Sequence, residues 1–540
     1  MMERIAECLL TRRQALRTGG ASLAAVALAA GAGRRAAAQP ATPAAGSPAA
    51  GGGSDAARAA ALDAFIRGAM QTYGVPGAAV AVVHGDRVVL LRGYGVRKVG
   101  ATARVDADTI FHLASNTKPF TAAALGVQVD AGKLGWDDPV VDHLPEFALY
   151  DPYPTRYATS RDLLAHRSGL PAFTGDLLND LGYDRAEVLR RIRFVPPRGS
   201  FREVDNYSNL GFFAAGEVVA RVAGTTWEAA VADTLLKPLG MTRTAPAAAV
   251  DQSGNVAASH VVIAGKPQAV PWNELRVLAA AGALTSTASD MVRWMQMLLN
   301  QGRAGGRQVL QPATVQEMFR PSMVAAPTIA ELPPITDQSG FSFTMGWGTF
   351  HFNGYPVIEK GGALAGIRSV VELVPALRLG VAVLANLNLT VLPEAIRAFV
   401  LEQYLGPATG DLQAEIKATC AKVQELLKPA APPPNPGPPS LPLAGYAGTY
   451  GSPIYGNFTV IQAGDALRIE AGPAKYPGTL IHVSRDTFDL SWGPSTVGSD
   501  VVTFTVGPAG QATRFETEGL GSFTRAAVAP GGQPAPLDVD

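Results

Sequence analysis

The chain has 540 residues, with 45 Lys+Arg against 45 Asp+Glu and a formal net charge of zero, a balance that argues against a nucleic-acid or anionic-membrane partner. Hydrophobic residues make up 47% and charged residues 17%, which excludes a wholly disordered chain and gives length for two or three domains with their own cores. Two cysteines occur, Cys8 and Cys420; if the first leaves with a leader, no intramolecular disulfide can form.

Thr11-Arg12-Arg13-Gln14-Ala15-Leu16-Arg17 precedes the apolar stretch Ala21 to Ala30. This resembles a twin-arginine export signal, although Ala15 stands where a bulky residue is usual. Ten apolar residues are too few for a membrane-spanning helix, and Ala36-Ala37-Ala38 before Gln39 supplies small residues for cleavage near Ala38. The expectation is an exported, periplasmic protein with no stable membrane span once the signal is removed. Residues 1–38 hold six Arg and two Glu, which leaves 39 basic and 43 acidic residues, a net charge of −4.

Residues 39–56 are rich in Ala, Gly, Pro and Ser and read as a flexible linker. From Ala57 to Tyr73 the apolar positions Leu62, Phe65, Ile66 and Met70 recur at helical spacing. Two β-branched pairs follow, 78–83 with 88–91 and, some 280 residues later, 369–374 with 380–384. Between them the pattern is mostly helical. Strands at both ends of a helical insert predict an α+β fold: one antiparallel sheet flanked by helices, with an inserted all-α subdomain and a cleft between the two. A last helix over 411–427 and a proline-rich spacer over 429–439 complete a connecting segment, 406–440. Short alternating runs from Tyr446 to Arg525 then predict a small all-β domain over 441–528, with a flexible tail at 529–540.

Three clusters could carry chemistry. Ser115 and Lys118, in Ser115-Asn116-Thr117-Lys118, are three apart at the start of the helical run Phe120 to Val129. They share a helix face, and an ammonium beside a hydroxyl at the positive end of a helix favours a nucleophilic serine. The alternative is a capped surface helix. Tyr207 and Asn209, in Tyr207-Ser208-Asn209, precede a second helix; a phenol beside cations can act as a base and an amide can hold a carbonyl, or the tyrosine is simply buried in a turn. Lys360-Gly361-Gly362-Ala363 ends the strand-like run from Tyr355. Its glycines would admit a substrate to the strand edge, where a backbone N–H could complete an oxyanion hole; the alternative is a glycine-rich turn with a solvated lysine.

In this order and spacing, Ser115-x-x-Lys118, Tyr207-x-Asn209 and Lys360-Gly361-Gly362 resemble the three active-site motifs of the serine β-lactamase and penicillin-binding-protein superfamily, nearest its class C branch. The stretches Leu163 to Pro171, Pro238 to Thr242 and Gly282 to Thr287 are also similar to that branch. The resemblance covers about residues 57–405, and the end domain, opening at Tyr446-Ala447-Gly448-Thr449-Tyr450, resembles the lipocalin-like barrel of some relatives. It implies Ser115 as acyl-enzyme nucleophile, Lys118 and Tyr207 as proton relay, and Asn209 as a substrate contact. The backbone N–H groups of Ser115 and Ala363 would form the oxyanion hole, and Lys360 would orient the relay or pair with a substrate carboxylate.

The implied reaction is hydrolysis of a β-lactam or D-amino-acid amide bond, without metal or other cofactor, on a small-molecule or peptide substrate of the cell-wall kind. Two departures bear on the substrate. Gly361 stands where β-lactam-active relatives usually carry Thr or Ser, which weakens the implication of a β-lactamase. Conversely, Lys360 stands where many esterases and D-aminopeptidases of the superfamily carry His, and the retained cation argues for substrates with a terminal carboxylate. A carboxylesterase, a D-aminopeptidase and a non-catalytic penicillin-recognising or cell-wall-sensing protein therefore stay open as alternatives. An α/β-hydrolase does not, because no Gly-x-Ser-x-Gly occurs in the chain.

Overall fold

The computed structural model describes residues 54–325, 340–426, 436–493 and 500–526. The proposed export signal, residues 39–53 of the linker, residues 427–435 of the spacer and the tail at 529–540 lie outside the described residues. Eight antiparallel strands form the main sheet, in the spatial order Met323–Val324, Ser342–Phe343, Gly348–Phe352, Tyr355–Leu364, Ile367–Val374, Leu379–Ala385, Gly77–His84 and Arg87–Gly95. The first strand of this sheet in chain order pairs with its last, from Ala78 opposite Ala385 to His84 opposite Leu379. The two hairpins expected from sequence are thus neighbours in one sheet.

Strand Gly77–His84 is an unbroken apolar run because both its faces are covered. Alternate residues serve different cores. Ala79, Ala81 and Val83 face the large core shared with the helical insert. Val80 and Val82 face a second core with Leu62, Ile66, Ile396 and Leu401 of the helices Asp55–Tyr73 and Leu392–Leu405. The first of these helices starts where Ser54 accepts a hydrogen bond from Ala57 N (3.2 Å) and stops where Gly74 turns left-handed at φ 63°.

The insert is mainly helical but includes short two- and three-stranded sheets, such as Phe111–His112 beside Leu284–Ser286. After the helix Leu412–Leu426, eight strands between Gly448 and Arg525 close into a barrel, sealed by Tyr450 and Gly451 opposite Arg525 and Thr524. Its interior is filled by aromatic rings: Tyr450, Phe504, Phe515, Phe523 and Phe458 pack ring against ring, all buried. The barrel also touches the helical insert. Ala474 N donates to Leu181 O (2.9 Å), and Arg191 donates to the carbonyls of Pro453 (2.9 Å) and Ile454 (3.0 Å). Among the described residues no helix is long and apolar enough to cross a membrane.

Candidate active site

Ser115 lies in the 3₁₀ turn Ala114–Thr117, and the α-helix begins only at Lys118, with Pro119 in its first turn. The helix thus starts at Lys118, and Ser115 stands one turn ahead of it rather than at its first residue. The cause is tertiary: Ala114 is held at φ 50°, Asn116 Nδ2 donates to Ser369 Oγ (2.8 Å), and Ser369 Oγ donates to Leu113 O (2.7 Å). On the other side Leu284 N donates to Thr117 Oγ1 (3.0 Å). A 3₁₀ turn eclipses residues three apart, so the Ser-x-x-Lys spacing brings Lys118 Nζ to 3.1 Å from Ser115 Oγ.

Lys118 is fully buried. Its Nζ also lies 2.7 Å from Asn209 Oδ1 and 2.8 Å from Ala281 O. Burial, aided by the nearby charge of Lys360, pushes the amine well below its ordinary pKa, while Asp176 pulls in the opposite direction. A carbonyl and an amide oxygen can only accept. In its neutral form the amine can give both N–H bonds to Ala281 and Asn209 and turn its lone pair toward the Ser115 hydroxyl. The orientation of the Asn209 amide is set from its other end, where Nδ2 donates to Asp176 Oδ2 (2.8 Å).

Tyr207 lies between the two lysines. Lys360 Nζ donates to its hydroxyl (3.2 Å), and the ammonium positions of Lys118 and Lys360 stand 4.8 and 4.6 Å from its ring centre. The ring packs on His166 at 4.3 Å and Phe173 at 5.4 Å. His166, itself at φ 60°, accepts from Ser208 N through Nδ1 (3.1 Å) and from Asn206 N through its carbonyl (2.9 Å). Ser208 in turn caps the helix Asn209–Ala223 by accepting from Gly211 N (3.1 Å). One histidine thus fixes the segment that presents both Tyr207 and Asn209.

Lys360, Gly361, Gly362 and Ala363 are strand residues, not a turn. They pair with Val371, Val370, Ser369 and Arg368 on one side, whereas pairing on the other side ends at Glu359 opposite Gly348. The strand edge beyond Glu359 is left for the nucleophile turn, against which it packs. Arg368 Nη1 supports this strand from within by donating to Gly362 O (2.9 Å), and Arg368 is itself paired with the buried Glu394. Gly361 lines a small recess of about 20 Å³ with Lys360, Tyr207 and Phe343.

The structure brings Ser115, Lys118, Tyr207, Asn209 and Lys360 together, with Gly361 lining the same recess, Gly362 packed on the nucleophile turn and Ala363 next along the strand. It adds Asp176, Ser369 and Phe343, and gives a role to His166, which the sequence offered only inside a longer similar stretch. Asp176 lies 33 residues before Asn209, and no local pattern links the two. A larger cavity of about 350 Å³ opens beyond the end of the same strand, between Asn179, Asp180, Trp272, Leu275 and Ala365 of the hydrolase-like part and Tyr476 of the barrel.

The family model described as Beta-lactamase matches residues 62–404, and a model described as a domain of unknown function matches residues 432–533. Unguisins hydrolase ungD of Aspergillus violaceofuscus is 26% identical over 488 residues, covering 82% of this chain and 84% of the relative. Penicillin-binding protein 4 of Amycolatopsis lactamdurans is 31% identical over 323 residues, covering 58% of this chain and 81% of the relative. Among solved structures, the octameric penicillin-binding protein homologue from Pyrococcus abyssi superposes with a TM-score of 0.57 at 21% identity, covering 86% of this chain and 99% of its own. Motif order, fold and family model agree: the chain belongs to the β-lactamase family of hydrolases.

Proposed function

We propose that this protein is an exported serine hydrolase that works through an acyl-enzyme on Ser115, cleaving a β-lactam or a D-amino-acid amide bond. The observation that carries the proposal is the arrangement around Lys118. Lys118 Nζ lies 3.1 Å from Ser115 Oγ, and its two other partners, Asn209 Oδ1 and Ala281 O, can only accept, which suits an amine that in its neutral form turns its lone pair toward the serine hydroxyl. As Ser115 Oγ attacks the substrate carbonyl, its proton passes to Lys118 Nζ. The backbone N–H groups of Ser115 and Ala363 receive the developing oxyanion. Tyr207, held by Lys360, gives its proton to the leaving nitrogen as the amide bond breaks, and Lys118 passes the proton it took from Ser115 back to Tyr207. Water then attacks the ester, releasing the acid and restoring Ser115. Export rests on the N-terminal sequence alone.

One observation favours a second reading of the substrate. Gly361 supplies no hydroxyl beside Lys360, and Lys360 is buried and engaged with Tyr207. That geometry suits a substrate with no carboxylate to clamp, such as a simple ester or an internal peptide bond. The test is a panel of a chromogenic cephalosporin, D-alanyl peptides and short aryl esters, with wild-type protein beside Ser115→Ala. Turnover of at least one class is expected in wild type, with a loss of about 10³-fold or more in a mutant of unchanged circular dichroism. A mutant that hydrolyses the panel at the wild-type rate removes Ser115 from the mechanism.

A further inference from the structure

The segment of the helical insert that the barrel touches is the segment that carries Asp176. Tyr455, in the barrel, accepts a hydrogen bond at its hydroxyl from Gly175 N (3.0 Å), the residue next to Asp176. Tyr183 OH donates back to Tyr455 O (3.1 Å). The two surfaces fit at backbone distance: a Cβ on Gly182 would lie 2.8 Å from Ala474, and one on Gly472 would lie 2.6 Å from Leu181 O. From Asp176 the hydrogen bonds run inward without a gap. Asn209 Nδ2 donates to Asp176 Oδ2 (2.8 Å), Asn209 Oδ1 accepts from Lys118 Nζ (2.7 Å), and Lys118 meets Ser115 Oγ at 3.1 Å. The same segment also reaches the tyrosine, because Phe173 N donates to Tyr207 O (3.2 Å).

We propose that Asp176 is a positioning residue of the hydrolytic site and that the C-terminal barrel, through Tyr455, holds Asp176 in place. The barrel is then a working part of the active site, acting on it through Gly175 and Asp176. This inference rests on the reading of Ser115 as the nucleophile.

The chemistry follows from what Asn209 must present. If its amide turned over, Nδ2 would face Lys118, two donors would meet, and the lysine lone pair would lose its direction toward Ser115. A carboxylate at Nδ2 forbids that flip, because it can only accept. Asp176 also acts through its charge. The charged and titratable groups around Lys118 are Lys360 on the sheet, Tyr207 before the helix Asn209–Ala223, with His166 packed on its ring, and Asp176. Asp176 alone favours the ammonium form of Lys118, so its neutralisation lowers the pH at which the lysine becomes a free base.

A fluorophosphonate probe that phosphonylates the nucleophilic serine, displacing fluoride, reads these effects without knowledge of the substrate. The full chain is labelled over a range of pH, and mass spectrometry locates the adduct. Wild type is expected to carry it on Ser115. Asp176→Ala is expected to react about 100-fold more slowly. Asp176→Asn is expected to move the acidic limb of the rate profile to lower pH. Tyr455→Phe, which removes the acceptor for Gly175 N and keeps the ring, is expected to slow labelling about fivefold, with the thermal midpoint shifted little. Wild type without an adduct on Ser115 overturns the hydrolase reading, and this one with it. A labelled wild type, with Asp176→Asn and Tyr455→Phe matching it in rate and in acidic limb, leaves Ser115 standing and overturns the positioning role. A slower Asp176→Asn with an unmoved limb and a lowered melting point overturns it too, since that pattern belongs to a fold defect.

Discussion

A Cβ on Gly362 would stand 2.2 Å from the carbonyl oxygen of Leu113. It would also lie 2.4 Å from Ser369 Oγ, the atom that links Asn116 to Leu113. The glycine of the third motif is therefore explained by the first: it lets the strand come close enough to brace the nucleophile turn. Neither contact can yield, because one is backbone and the other is a hydroxyl fixed at both ends. Gly362→Ala is expected to push the turn aside by a fraction of an ångström and to lower the labelling rate at Ser115 about 100-fold. The thermal midpoint should fall by several degrees. Rate and melting curve measured on one preparation check both.

Tyr207 offers a cleaner cut between packing and chemistry. Tyr207→Phe keeps the ring on His166 and Phe173 and removes only the hydroxyl to which Lys360 donates. A proton-transfer role predicts a fall in kcat of about 10²- to 10³-fold, with a stability change of about 1 kcal/mol. Lys360→Gln separates relay from clamp. Since Lys360 is buried and engaged with Tyr207, kcat is expected to fall on substrates with and without a carboxylate. A rise in KM confined to the carboxylate-bearing ones would assign Lys360 to substrate capture instead.

These residues were legible in the sequence to different degrees, for physical reasons. Ser115 and Lys118 are local partners, and a spacing of three places them together in either an α- or a 3₁₀-turn. The hairpins at 77–95 and 367–385 announce themselves through β-branched runs. Gly361 and Gly362 weaken a strand signal and invite a turn reading, yet pairing with Val370 and Ser369 keeps them extended. That Ser115 sits in a 3₁₀ turn ahead of the helix was not legible, because hydrogen bonds to Ser369 and Leu284 decide it, and both lie more than 150 residues away in the chain. Asp176 was invisible for the same reason. Its partner Asn209 sits on a different element, and only the folded insert brings the two together.

His112 predicts an acid limit to stability. It is buried, with Nε2 against Asn273 O (2.8 Å) and its ring against Trp272 at 5.2 Å. Burial pushes its pKa down to about 4 from an ordinary 6.5. Between these values the unfolded chain binds the proton and the folded one does not. Stability therefore rises with pH through this window and is lost on acidification from about 6.5 toward 4. The full contribution is about 3 kcal/mol. Urea unfolding at pH 7, 5.5 and 4.5 should show the decline, and His112→Gln, which does not titrate, should flatten it. An equal slope in the mutant would place the acid sensitivity elsewhere.

Tyr476 predicts how the barrel bears on substrate choice. The cavity of about 350 Å³ starts at Ala365, two residues past the proposed oxyanion donor Ala363, and Tyr476 closes one side of it from the barrel. Its ring stacks on Trp492 at 5.6 Å, and an acyl group lying along the strand into this cavity would meet that wall. A pocket boundary acts on specificity through size, and each methylene accommodated or refused is worth about 1–3 kcal/mol. Tyr476→Ala should leave short substrates almost unaffected and admit longer ones. On a series of aryl esters from acetyl to octanoyl, the ratio of long-chain to short-chain kcat/KM is expected to rise about tenfold or more. The substitution leaves Tyr455 and its bond to Gly175 in place, so a change in chain-length preference can be told apart from a loosened active site, which would depress every substrate alike. A ratio unchanged in the mutant would mean that the acyl group leaves the nucleophile in another direction, and that the cavity is no part of the binding path.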